Sequence, residues 1–208
     1  MPRGTYDQNV FVNCPFDPSY APIFDAIIFA IHDCGFVARC ALEESDSAQV
    51  RVEKIYGIIS ECRFGIHDVS RTELDATLGL PRFNMPLELG IFLGARKFGG
   101  GRQRQKRCLV LDRERFRYQA YLSDISGQDI KEHADDPAKA IKAVRDWLSH
   151  FAPKDVMRPG GKKMAKRYGV FLDELPALLR EVDVEREELI YNDYTTIMVG
   201  WLRVNPWG

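Results

Sequence analysis

The sequence predicts an α/β protein: a three-layer sandwich around a mainly parallel sheet, with a helical extension at its C-terminal end. Short β-branched and aromatic segments alternate with segments of helical period through the first half of the chain, and beyond about residue 135 only helical periodicity remains. The length, 208 residues, suits one domain with a substantial core plus an appendage.

Residues 9–14 are β-branched and aromatic and stop at Pro15, which marks a first strand followed by a loop at 15–18. Ile23, Ala26, Ile27, Ala30 and Ile31 recur at helical spacing up to Gly35. A second strand is expected at 36–41 and a polar loop at 43–48. Val52, Ile55, Ile58 and Ile59 mark a second helix, and 64–68 a third strand. A third helix carries Glu88; it starts either at Pro86, since proline suits the first helical position, or already at Asn84, which would then share a helical face with Glu88. Its Gly90 and Gly94 have the spacing of a helix that approaches a sheet closely. After a Gly-rich basic link at 99–106, residues 107–111 form a fourth strand.

Strands and helices alternating in this way place helices on both faces of a parallel sheet through right-handed crossovers. Four short strands with a helix directly after the first suit a flavodoxin-like order. Residues 1–135 are expected to form this domain and 136–208 a helical extension packed on it. In the extension, one helix is expected at 137–151, a second through Tyr168, Phe171, Leu172 and Leu175, and a last one at 191–202. The segment 123–130 reads as a cover over the site.

Twenty-nine basic residues against thirty acidic ones leave no global basic field, so neither nucleic acid nor a membrane is the expected partner. Arg102, Arg104, Lys106 and Arg107 read as a solvated basic face. The five cysteines are scattered without CxxC spacing, which fits a reduced, cytoplasmic protein without a metal site. No run approaches the roughly 18 apolar residues of a membrane span.

In a sheet of this kind ligands bind beyond the carboxyl ends of the strands. Segments 13–17, 43–46, 68–71 and 82–88 should meet there, offering Asn13, Phe16, Asp17, Asp68, Ser70, Arg71, Arg82, Asn84 and Glu88. This inventory suits a sugar, phosphate or base better than a metal. Glu88 is the sole ionisable residue between Phe83 and Ala95. A carboxylate in such a run must find a partner, take up a proton or face a cleft. The plain alternative is that it caps the first turn of its helix. His67, in a buried strand, reads as a core histidine with one hydrogen bond.

Val10-Phe11-Val12-Asn13, Ile66-His67-Asp68-Val69-Ser70 and above all Glu88-Leu89-Gly90 resemble the nucleoside 2-deoxyribosyltransferase and nucleotide N-glycosidase superfamily, which shares its flavodoxin-like fold with Toll/interleukin-1 receptor (TIR) domains. The resemblance covers roughly residues 9–112. It implies that Glu88 attacks or stabilises an anomeric carbon, that Asp68 lies in the same site, and that the ligand is a nucleoside, a nucleotide or NAD as substrate, with no cofactor. The superfamily's small-residue lead into this helix is replaced here by Arg82-Phe83-Asn84-Met85-Pro86. The alternative it implies is a non-catalytic TIR-like module that senses a nucleotide or assembles into homo-oligomers. Tyr191, Tyr194, Trp201 and Trp207 are the candidate surface for that, with packing on the parent domain as the simpler expectation.

Overall fold

The computed structural model of the chain describes residues 4–74, 79–152 and 158–207. Five strands, β1 (Asn9–Asn13), β2 (Val37–Arg39), β3 (Phe64–Asp68), β4 (Arg107–Asp112) and β5 (Lys131–Glu132), form an all-parallel sheet in the order β2-β1-β3-β4-β5. Six helices accompany it: α1 (Ala21–Asp33), α2 (Arg51–Ser60), α3 (Asn84–Phe98), α4 (Pro137–Ser149), α5 (Gly161–Glu181) and α6 (Tyr191–Val204). The fold is α/β with a flavodoxin-like strand order and three layers.

Strand alternation sorts the core into two faces. Val10, Val12, Phe64, Ile66, Leu109 and Leu111 join α1, α4, α5 and α6 in one apolar cluster. Phe11 packs on the opposite face with Ile55, Ile58 and Ile59 of α2 and Phe92 of α3. Within β3, Gly65 and His67 face α3, where the His67 ring lies 5.0 Å from that of Phe92. The next residue, Asp68, turns to the other face.

The close approach of α3 to the sheet depends on a strand glycine. A Cβ on Gly65 would stand 2.8 Å from the Phe92 ring and 2.7 Å from His67 Nε2, whereas Gly90 and Gly94 have nothing within 4 Å of the corresponding position. The spacing of the two helix glycines therefore does not serve the approach expected of it.

Residues 137–204 supply α4 to α6. α4 packs beside α1 on the sheet, and α5 and α6 lie against α1. Tyr194 and Trp201 are buried, and Trp201 and Phe171 pack on Phe29 of α1. The Tyr191 hydroxyl donates to the Ala38 carbonyl at 3.0 Å. These aromatic residues thus pack within this chain.

Three expectations change. A fifth strand is present, two exposed polar residues long, too short to produce a periodic signal. Lys106 is not part of a solvated face. It is fully buried, with its Nζ donating to the Ile59 carbonyl at 2.6 Å and to the Cys62 carbonyl, which closes the C-terminal end of α2. Burial pulls its pKa down to about 8. Segment 123–130 does not cover the cavity described below. Ile125 and Ile130 pack with Val69, Val110 and Tyr118, and the Tyr118 hydroxyl holds the segment through the carbonyls of Ser126 and Gln128.

Gly65→Ala is expected to destabilise the fold by about 1–3 kcal/mol through overpacking against Phe92, while Gly90→Ala does not. Urea denaturation of the two variants checks this.

Candidate functional site

A cavity of about 300 Å³ opens at the carboxyl edge of the sheet, beyond β1 and β3 and against the start of α3. Its lining includes Asn13, Phe16, Asp17, Arg51, Arg71, Glu73, Arg82, Asn84 and Glu88. Seven of the nine sequence-selected site residues meet here. Asp68 and Ser70 do not line it.

The floor is set by Asn13. Its side-chain amide donates to the Met85 carbonyl at 2.8 Å and lies 3.0 Å from His67 Nδ1. With Asn13 as donor, His67 Nδ1 is the acceptor and the neutral ring carries its proton on Nε2. Burial, then the charge of Lys106, pulls the His67 pKa down to about 3, so the ring stays neutral. The amide protons of Asn13 are engaged, which leaves Oδ1 as its offer to the cavity.

Of the two starts the sequence allows, α3 takes the earlier one: it begins at Asn84, ahead of Pro86, with Phe83 as its cap residue. Glu88 is therefore in the second turn, beyond the orphan N–H groups that a capping carboxylate serves. It is 8% exposed and makes no hydrogen bond or ion pair among the described residues. Burial raises its pKa to about 7, against the opposing field of Arg51.

The remaining carboxylates of the cavity have partners. Asp17 Oδ1 accepts from Ser19 Oγ at 2.5 Å and lies 3.7 Å from the Arg71 guanidinium. Glu73 pairs with Arg113; against its burial, a hydrogen bond to its own backbone and then the Arg113 charge hold the Glu73 pKa down. Phe16 is partly exposed and packs edge-on against Phe24, with ring centroids 5.5 Å apart. Cys14 is buried, which keeps its thiol well above the usual range and unreactive.

Asp68 belongs to a separate buried network on the opposite face. Its Oδ1 accepts the Ser70 N–H at 2.8 Å, and its Oδ2 lies 2.9 Å from His133 Nε2. Burial, then the Asp68 charge, raises the Tyr20 pKa well above its ordinary value. A second buried carboxylate, Asp112, accepts from Arg117 and from the Tyr121 hydroxyl. Arg117 also donates to the Ser70 carbonyl and to Thr72 Oγ1. These contacts anchor the loop that carries Arg71 and Glu73 into the cavity wall.

The loop at 43–46 does not reach the cavity. Glu43 is tied to Arg39 at 2.6 Å, and Glu44 to Asp46 line a separate surface depression. Arg51 takes its place. It was absent from the sequence selection, although the first residue of a helix following a strand must lie at this edge. A larger depression of about 890 Å³ lies at the far side of the sheet between α3 and α4. Its Lys131 and Lys142 are paired with Asp129 and Asp146.

Among the described residues, no group of three or more His, Cys, Asp or Glu is placed to hold a metal ion, and no helix is long and apolar enough to cross a membrane. No family model matches the chain, and no curated protein matches it.

The raised pKa of Glu88 has a consequence for stability with a definite sign. Between its ordinary value of 4.5 and about 7 the folded state holds the extra proton, so stability falls as pH rises through that window. Glu88→Gln removes the penalty. The variant is expected to exceed the wild type by roughly 2 kcal/mol at pH 8 and to lose that advantage at pH 4.5. Urea denaturation at the two pH values checks it.

Proposed function

We propose that this protein is an N-glycosidase or deoxyribosyltransferase-like enzyme that cleaves the N-glycosidic bond of a nucleoside, nucleotide or NAD through Glu88. The observation that carries the reading is a buried carboxyl group, without a hydrogen-bond or ion-pair partner among the described residues, in a cavity at the carboxyl edge of a parallel sheet. Structural carboxylates of this protein, such as Asp68 and Asp112, are in contact with donors; Glu88 has no such contact among the described residues, which supports a role toward a ligand.

Glycosidic cleavage breaks the bond between the anomeric carbon and the base nitrogen. The base leaves with the electron pair: a neutral nucleobase takes a proton from solvent at the open mouth as it departs, whereas the cationic nicotinamide of NAD leaves as a neutral molecule and needs none. The sugar becomes positively charged, and an ionised Glu88 stabilises that charge or bonds to the anomeric carbon. Water or a second base then displaces the carboxylate and restores it. A pKa near 7 leaves Glu88 half ionised at neutral pH and a better nucleophile than an ordinary carboxylate. Asn84 and the Oδ1 of Asn13 can take sugar hydroxyls, and Phe16 offers a ring face edge to the base. Asp68, turned to the other face of the sheet, has no part in this chemistry.

A second reading, a nucleotide-sensing or self-assembling module, is favoured by one feature: Leu74, Leu80, Phe83 and Leu87 are exposed on the segments that flank the cavity. Under that reading a nucleotide shifts the oligomeric state and no base is released.

Incubation with a panel of nucleosides, nucleotides and NAD, followed by chromatography for free base, separates the two. The active substrate is expected to show kcat/KM rising with pH through a limb near 7, since the ionised carboxyl is the reactive form. Glu88→Gln is expected to lower turnover about a thousandfold, roughly 4 kcal/mol of transition-state stabilisation. A blank panel with ligand-dependent light scattering supports the module instead.

A further inference from the structure

Three arginines line the Glu88 cavity, and their surroundings differ. Arg71 is engaged: it lies 3.7 Å from Asp17, donates to Ser19 Oγ at 2.8 Å and sits 5.9 Å from the Tyr20 ring centre. Arg51 and Arg82 are exposed at the mouth and have no ion pair among the described residues. The carboxylates of the cavity do not balance them. Asp17 is matched by Arg71, Glu73 by Arg113, and Glu88 is partly protonated at neutral pH.

The mouth is thus locally positive in a chain whose net charge is −1. Backbone adds to this, because α2 and α3 both open at this edge without a side-chain cap, with their positive ends toward the ligand. The independent sign of a ligand is Glu88 itself, more than nine-tenths buried, lining the same cavity without a partner among the described residues.

We propose that Arg51 and Arg82 clamp a phosphate group at the mouth of the Glu88 cavity, so that the substrate is a phosphorylated nucleoside and not a free one. This rests on the reading of Glu88 as a glycosidic carboxylate. The planar, always-charged guanidinium matches phosphate oxygens two at a time. A 5′-phosphate stands several bonds from the anomeric carbon, so cations at the mouth and a carboxyl on the inner wall address the two ends of one ligand. The volume of about 300 Å³ is at the lower end of small-molecule sites and suits a single nucleotide.

The test uses the full chain at pH 8.5, above the Glu88 titration, so that losing the field of Arg51 on Glu88 does not read as lost binding. Nucleosides and their 5′-monophosphates are compared as substrates. Inorganic phosphate is titrated against sodium chloride at constant ionic strength, with the melting temperature as readout. The monophosphates are expected to have kcat/KM about a hundredfold above the nucleosides.

That ratio is expected to drop below about tenfold in R51Q/R82Q and to be intermediate in Arg51→Lys, which keeps the charge and loses the fork. Arg104→Gln, exposed and outside the cavity, keeps the wild-type ratio. Phosphate is expected to raise the melting temperature of the wild type and of R104Q, but not of R51Q/R82Q. Equal turnover of nucleosides and monophosphates, an unchanged ratio in the double variant, or a phosphate response that does not need the two arginines overturns the clamp and leaves the glycosidic reading standing. Arginine-dependent phosphate binding with no base released from any substrate does the reverse.

Discussion

The side-chain amide of Asn13 ties the start of α3 to the carboxyl ends of the paired strands β1 and β3. One nitrogen bridges from the last residue of β1 to His67 on β3 and to the Met85 carbonyl in the first turn of α3. Because Met85 is three residues before Glu88, this bond fixes the height and rotation of the helix that carries the carboxyl. Gly65 completes the constraint from below, since its missing side chain lets Phe92 and His67 pack at the distance the bond requires. The neutral state of His67 matters here, because a protonated Nδ1 could not accept from Asn13.

What this arrangement holds in place is costly to the fold. A largely buried carboxyl group without a partner among the described residues is destabilised in its charged form, and the protein keeps it at the one edge of the sheet where helix starts and strand ends leave room for a ligand. Elsewhere buried charge is answered at once: Asp112 by Arg117 and Tyr121, Asp33 by Arg167, Lys106 by the carbonyls of Ile59 and Cys62 at and just beyond the end of α2. The contrast between these contacts and Glu88 is the physical ground for treating Glu88 as functional. The nearby arginines then give the cavity a preference for an anion.

Much of this was legible in the residues, and the failures have specific causes. The parallel sheet and its order followed from alternation and from proline and glycine stops. Glu88 stood out as the lone charge in an apolar run. His67 is, as its place in a buried strand implies, a core residue with a hydrogen bond. The pairing of Asp68 with Glu88 ignored the parity of the strand: adjacent residues face opposite sides, so His67 and Asp68 cannot both face α3. Lys106 looked solvated because the groups that bury it, the carbonyls of Ile59 and Cys62, lie more than forty residues away in sequence. Arg51 carries no motif of its own and follows the loop 43–48, whose polar residues mark that edge more strongly. β5 is two exposed residues whose pairing is decided by β4 alone.

The central claim is that Glu88 is held as a buried carboxyl group titrating near neutrality. The most direct measurement is the side-chain carboxyl ¹³C shift of Glu88, assigned by comparison with a Glu88 variant and followed from pH 3 to 9. A midpoint near 7 is the result this account predicts. A midpoint at its ordinary value of 4.5 contradicts it, for it would mean that water or a further partner reaches the group and that nothing sets it apart from a surface carboxylate.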